Sequence, residues 1–404
     1  MKKIFFIISI FLIFFAVGHF GFKKNTDGES VVFWTLQLGT FDKYINNVIK
    51  EFETENPDIK IKWVDVPYSE GEKRTLAALL SDNPPDLINL TPDFSFLAAQ
   101  RGALSEIPSD CMKDYPSALY DSLSYRGKFF AIPFYLTSAV TYANKELMKK
   151  ADISTVPLTF EKMYSDSGKI KKLDNVYTDM PALTENDTFL KILAKNDIDI
   201  LNINDREKLT NFYRQYRKYY QNGYIPKESL TQGHREALEK FMSGQVVYLQ
   251  AGANFLNIIK ENAPKVYENT EISYQLTGKN GKFDFSIMNL IIPLKAKHKD
   301  NALKFAIFLT NEKNQLEFAK LTSVLPANKH ALKNDYFGRT DTKEDKARNI
   351  SASQIENAGK IFSQTENKKN IITLLNTTTG RVITENTPIE TIVSDFYNDL
   401  SNIK

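Results

Sequence analysis

Apolar residues change their period repeatedly along the first hundred positions, and each change predicts an element. Val31 to Leu36 is β-rich and bounded by turn residues, which predicts a buried strand. Phe41, Ile45, Val48, Ile49 and Phe52 then recur at helical spacing, with Thr40 placed to cap that helix. Asn56-Pro57-Asp58 stops it. Ile59 to Val66 alternates as a second strand. Ser69 and Glu72 have the spacing of a capping box ahead of a helix carrying Leu76, Leu79 and Leu80. Asp82-Asn83-Pro84-Pro85 breaks that helix, Asp86 to Leu90 reads as a third strand, and a further helix runs to Gly102, a good C-terminal stop.

Alternating strands and helices imply an α/β protein with a mostly parallel sheet and right-handed crossovers. Ligands of such sheets bind beyond the carboxyl ends of the strands. Two loops are nominated by that rule: Gln37 to Gly39 after the first strand and Thr91 to Phe94 after the third.

The remainder is less regular. Phe129 to Tyr135 and Ala139 to Tyr142 read as extended, and Asn144 to Ala151 as a short helix. Asn175 to Ile203 has no clear period. Leu209, Phe212, Tyr213, Tyr216 and Tyr220 form a helical stripe ended by Gly223, and that spacing makes the tyrosines core rather than a stacking platform. Phe241 to Leu249 passes from helix to strand, Ala251 to Asn254 is a loop, and Met288 to Pro293 is a strand. Ala302 to Leu309 and Asn311 to Leu321 are helices, the second capped by Thr310, and the tail from Ser351 is largely helical.

At 404 residues the chain exceeds the usual single compact domain, so two lobes are expected. Lys2 and Lys3 precede an apolar run from Ile4 to Val17 broken only by Ser9. That is the pattern of an export signal. Cleavage after Gly18 is one outcome. Because Phe20 and Phe22 prolong the run, an uncleaved membrane anchor spanning residues 1–22 is the other. No cysteine lies there, which excludes lipid attachment through cysteine. The formal charge of +3 is spread among 52 basic and 49 acidic residues. It gives no clustered basic face of the kind nucleic acid requires. The single Cys111 forms no intrachain disulfide and has no histidine near it in sequence. His19, His234, His298 and His330 show no metal-ligand spacing. Dinucleotide, phosphate-loop and serine-nucleophile motifs are all missing. No catalytic residue, metal or cofactor is expected, although a glycosidase's two carboxylates would leave no motif.

Several strings resemble bacterial extracellular solute-binding proteins of family 1, the group of maltose- and glycerol-3-phosphate-binding proteins. Val32-Phe33-Trp34-Thr35 is similar to that family's first strand. Phe52-Glu53 with Asn56-Pro57-Asp58-Ile59 resembles its first helix-to-strand junction, and Ala77-Ala78-Leu79 with Pro85-Asp86-Leu87-Ile88 the approach to its third strand. Gly127 to Pro133 followed by Tyr142 to Leu147 is the most specific string and resembles the segment passing between lobes. Gly244 to Val247 with Gly252, and Leu325-Pro326-Ala327, resemble later landmarks. The match runs from about Val31 to the C-terminus and is weakest from Asn175 to Ile203; the family's frequent lipid-bearing cysteine is missing.

The resemblance implies a periplasmic-binding-protein-like fold of type II, with residues 30–138 and 290–335 in one lobe and 139–289 and 336–404 in the other. It implies a monomeric extracytoplasmic subunit of an ABC importer, closing on a sugar or related polar solute and docking on the permease's transmembrane subunits. A membrane-anchored sensory receptor and a glycoside-acting enzyme are the alternatives. Sugar sites pair hydroxyls with amides and carboxylates, and C–H faces with aromatic rings. The candidate contacts are therefore Trp34 and Gln37 after the first strand, and Thr91 and Asp93 after the third. Tyr135 and Thr137 sit at the crossing, Asn254 and Phe255 follow Gly252, and Met288 and Asn289 precede the returning strand. Trp34 has an alternative role as a core residue facing away, and Asp93 as a helix cap.

Overall fold

Val31, Phe33 and Thr35 are fully buried on one face of β1 (Ser30–Leu36), the strand around which the first lobe is built. β1 pairs in parallel with β2 (Lys60–Val66) on one side and β3 (Leu87–Leu90) on the other. Helices α1 (Asp42–Glu55) and α2 (Tyr68–Leu80) connect them, and α3 (Pro92–Gln100) follows β3. The edges of Phe33 and of Phe52 from α1 meet Phe305 at ring-centroid distances of 5.4 and 5.0 Å. Burying each such ring contributes about 1.5–3 kcal/mol. The computed structural model describes residues 30–359, 365 and 367–403. The N-terminal segment that carries the export reading lies outside these residues.

β4 (Ser124–Tyr125) and β5 (Lys128–Phe129) form a small hairpin, and β6 (Ile132–Thr137) returns to the first sheet. After a single intervening residue the chain enters β7 (Ala139–Asn144), the centre of a second sheet. Next come α4 (Lys145–Lys150), α5 (Phe160–Ser165), α6 (Thr188–Lys195), α7 (Arg206–Gln221) and α8 (His234–Met242). β8 (Tyr248–Gly252), α9 (Phe255–Asn262) and β9 (Thr270–Ser273) follow, and β8 and β9 flank β7 in antiparallel pairing. β10 (Ser286–Ile291) then re-enters the first sheet. The longer elements that follow, with the short β11, are α10 (Lys299–Leu309), α11 (Glu312–Thr322), β11 (Leu325–Pro326), α12 (Lys343–Ser353), α13 (Lys368–Thr384) and α14 (Ile389–Ile403).

The first sheet has the order β11-β6-β10-β3-β1-β2 and the second β8-β7-β9. One apolar cluster surrounds the first sheet, drawing on Val31 to Leu136 and Ile287 to Phe337. Two others surround the second, drawing on Val140 to Leu276 and, from the tail, Ile371 to Leu400. Two lobes therefore have separate cores. The chain crosses between them at Thr137 to Ala139, again at Asp284 to Ser286, and through α12 and the turn Gln354–Asn357.

The structure departs from the sequence pattern in definite places. The first sheet is parallel only across β2, β1 and β3. β10 is antiparallel to both β3 and β6, and β11 to β6: β10 arrives from the other lobe rather than by a strand-helix-strand crossover, and β11 follows it through two helices of the first lobe. Thr40 does not cap α1. The loop is held instead by Asp65 of β2, which accepts the N–H groups of Leu38 and Gly39, each at 2.8 Å, and the Thr35 hydroxyl at 2.7 Å. Ser69 and Glu72 form no capping box, since α2 starts at Tyr68 after Pro67. Asn311, not Thr310, caps α11; the buried Thr310 hydroxyl bonds Tyr115 at 2.6 Å. Met288 and Asn289 lie within the returning strand rather than before it, because pairing with β6 already begins at Ser286, and the expected passage at 289/290 falls inside β10. Tyr213 and Tyr216 are core, as their spacing indicated.

Candidate functional site

Beside the crossing segments, the second lobe encloses a cavity of about 310 Å³. Its lining converges from separate stretches of chain: Phe160 on α5, the loop from Asp179 to Asn186, Lys191 and Lys195 on α6, His234 on α8, Tyr248 and Gln250 on β8, and Gln275 and Asp284 approaching the crossing. The volume lies at the low end of small-molecule sites, roughly 300–1,000 Å³.

One wall is an ionic cluster. The Lys195 ammonium lies 2.6 Å from Asp284 and donates to the Gln275 side chain at 2.7 Å and the Leu276 carbonyl at 3.1 Å. Burial pushes the Asp284 carboxyl up, but Lys195 and Lys191 outweigh it and hold the group below the usual carboxylate range. Burial lowers the Lys191 ammonium, yet Asp284, Asp187 and the more distant Asp93 leave it above its ordinary value. Asp93 belongs to the other lobe, so its field reaches the cavity across the cleft.

The opposite wall is less fully matched. Among the described residues Asp179 accepts only the Tyr164 hydroxyl, at 3.0 and 3.3 Å from its two oxygens, and burial raises its pKa to about 7. The Tyr248 hydroxyl is buried and bonded to nothing among the described residues. An unmatched buried polar group costs about 1–3 kcal/mol, which a ligand group can recover. Burial lowers the His234 imidazole against the opposing field of Glu185, so the ring is neutral near pH 7. Neutral imidazole, phenol, amide and carboxylate beside the faces of Phe160 and Tyr248 form a surface suited to polyhydroxylated molecules.

The crossing segments are fastened by one buried amide. Gln354 donates to the Ser138 hydroxyl and the Ala139 carbonyl, both at 2.9 Å, and accepts the Gln275 N–H at 2.6 Å. Ser351 donates to the Ser138 carbonyl at 3.3 Å, and the Gln275 side chain accepts the Asp284 N–H at 2.9 Å. The same network therefore links hinge and cavity. Across the cleft, Lys368 at the start of α13 pairs with Asp93 at the start of α3, at 2.8 Å.

None of the ten sequence candidates lines the 310 Å³ cavity. Thr137 and Asn254 meet in a smaller neighbouring space of about 50 Å³ with Ser138, Tyr336 and Arg348. Phe255 packs edge-on against the His234 ring at 5.0 Å and so backs the cavity. Gln37 is exposed at the end of β1, where a φ of 53° turns the chain, and its N–H donates to Val66. Thr91 precedes α3, its hydroxyl buried without a bond to the described residues. Asp93 is in the first turn of α3 and not its cap. Asn289 is wholly buried beside Leu90, and neither atom of its amide is matched among the described residues. Trp34 faces an open groove under α2 with Ala77, Ala78, Pro84 and Pro85, away from both cavities. Tyr135 and Met288 pack on the first lobe's core. Of the missed residues, Asp179, Lys191 and Lys195 lie in the one stretch without legible period, while Phe160, His234, Tyr248, Gln250, Gln275 and Asp284 are gathered from elsewhere along the chain.

The profile of the bacterial extracellular solute-binding protein family matches residues 38–316. The chain is 26% identical over 339 residues to the galactooligosaccharide-binding protein of Bacillus subtilis, covering 78% of this chain and 76% of that protein. It is 23% identical over 342 residues to the diacetylchitobiose binding protein DasA of Streptomyces coelicolor, covering 79% and 78%. The solved structure of the sugar-binding protein MalE from Xanthomonas citri aligns with a TM-score of 0.79 at 20% identity, covering 93% of this chain and 97% of that one. The fold is thus that of the two-lobed periplasmic binding proteins.

Proposed function

The chain belongs to the bacterial extracellular solute-binding protein family, and from that premise we propose that it captures a carbohydrate between its lobes and delivers it to an ABC importer. The cavity carries this reading. It joins the aromatic side chains of Phe160 and Tyr248 to the buried Tyr248 hydroxyl, which has no partner among the described residues. Sugars supply hydroxyls for the second and C–H faces for the first. The curated relatives named above bind a galactooligosaccharide and diacetylchitobiose, which supports the same class of ligand.

In this account the 310 Å³ cavity is the second lobe's half of the site. The first lobe contributes Gln37, Thr91 and Asp93, with Asn289 beneath them, and Thr137 and Asn254 line the approach at the crossing. Closure swings these halves together about the Gln354 network. The protein acts outside the cytoplasmic membrane. Among the described residues no helix is long and apolar enough to cross a membrane. We read the chain as a binder without turnover, in keeping with a family of binding proteins. The partner is the permease of the same importer.

The test is a thermal-shift and scattering screen of the chain from Lys23 onward against mono- and oligosaccharides. At least one sugar should raise the melting temperature and reduce the radius of gyration. A broad panel without either change contradicts the reading.

A further inference from the structure

The charges that line the cavity do not balance. Its two lysines are both taken. Lys195 is held by Asp284, the Gln275 side chain and the Leu276 carbonyl, and Lys191 lies 3.2 Å from Asp187 and 3.9 Å from Asp284. Asp179 and Glu185 line the same cavity, and neither forms an ion pair with a lysine or arginine among the described residues. Asp187 and Asp284 already match the two ammonium groups, so these two carboxylates are in excess.

Both are fixed by the fold. The Tyr248 N–H donates to the Thr178 carbonyl at 3.0 Å, which lays the loop along β8 and brings Asp179 beside Tyr248. No positive charge offsets the burial of Asp179; only the Tyr164 hydroxyl works against it. Glu185 accepts the His234 N–H at 3.3 Å and can lie against the start of α8 because Gly233 has no side chain, where a Cβ would collide with its carboxylate. A second observation points the same way. Tyr248 lines this cavity, is only 1% exposed, and leaves its hydroxyl without a partner among the described residues. An unpaired carboxylate and an unmatched hydroxyl in one cavity suit a ligand that brings positive charge together with hydrogen-bonding groups.

We propose that the ligand is an amino sugar, a saccharide whose free ammonium group pairs with Asp179 while Glu185 adds to the attracting field. The proposal rests on the carbohydrate reading above and narrows it from sugars in general to cationic ones. The Tyr248 hydroxyl bonds a ring hydroxyl of the same molecule. Lys191 and Lys195, neutralised by their own carboxylates, offer no free charge to a uronic acid or a sugar phosphate.

Calorimetric titration near pH 7 tests it with two matched series: glucose, N-acetylglucosamine and glucosamine, and galactose, N-acetylgalactosamine and galactosamine. Each is used as monosaccharide and disaccharide, with glucuronic and galacturonic acid alongside. In at least one series the amine should bind roughly fivefold to thirtyfold tighter than its neutral counterparts. Asp179→Asn should bring that ratio to within about twofold of one. Glu185→Gln, which alters an exposed side chain and threatens no core, should lower it part of the way. Neutral sugars that bind as tightly as the amine in both series overturn the proposal and leave carbohydrate capture standing, as does tightest binding of a uronic acid. An Asp179→Asn protein that keeps the full preference also overturns it. Failure of every saccharide to bind overturns instead the carbohydrate reading, and the amino-sugar assignment with it.

Discussion

Replacing Asp179 by Asn should stabilise the unliganded protein above pH 7 and weaken its hold on sugar. Burial raises this carboxyl from 3.8 to about 7, and the Tyr164 hydroxyl only partly compensates. Between roughly pH 4 and 7 the folded chain keeps the proton and the unfolded chain has lost it. Stability attributable to the group is thus full below pH 4, falls as pH rises, and is gone above about pH 7. Three pKa units correspond to about 4 kcal/mol. The asparagine variant is isosteric, still accepts from Tyr164 through its amide oxygen, and carries no charge to bury. At pH 8 its melting temperature should exceed the wild type's by roughly 5–10 °C, the lower figure applying if the lobes unfold together. At pH 4 the two should melt alike. Calorimetric melts across that range are the assay. A variant that melts below the wild type at pH 8, or whose stability falls between pH 4 and 7 as steeply as the wild type's, refutes the reasoning. Retaining a costly carboxylate makes sense only if it serves the ligand, so sugar affinity should drop in the same variant.

Three further perturbations probe the frame around that group. Lys195→Met leaves Asp284 buried with only Lys191, 3.9 Å away, and should cost about 3–5 kcal/mol in urea unfolding. Gln354→Ala removes three hydrogen bonds, two of them fully buried, that join the crossing segments and should cost about 3 kcal/mol, while broadening the interlobe distance distribution measured by double electron–electron resonance. Lys368→Ala removes the cross-cleft pair with Asp93; because Asp93 is nearly half exposed, global stability should change by less than about 1 kcal/mol. The unliganded lobes should nonetheless spend more time apart, an effect that high salt reproduces in the wild type.

Much of the first lobe was legible because its strands and helices bury single faces. Val31, Phe33, Phe52 and Ile45 mark their elements by period alone, and the carboxyl ends of β1 and β3 could be nominated from order alone. The caps were not legible. Asp65 holds the α1 entrance from a neighbouring strand 26 residues away, which no local spacing reveals. The cavity failed for a related reason. Its loop from Val176 to Asn186 has no period of its own; Tyr177 and Thr178 are placed by bonds to Gln245 and Tyr224, far along the chain. Trp34 drew attention as a large aromatic residue near a strand end, yet strand alternation turns it toward α2. Family resemblance identified the kind of site, and only tertiary contacts identified its second half.

Carbohydrate capture by this protein stands or falls with the cavity beside Tyr248. Calorimetric titration of the wild type and Tyr248→Phe with the saccharide giving the largest thermal shift tests this directly. The hydroxyl bonds no described protein group, so the variant should melt at or above the wild-type temperature. Its affinity should fall at least about fivefold, the worth of one hydrogen bond to ligand. Unchanged affinity in a correctly folded variant would contradict the placement of the sugar in this cavity.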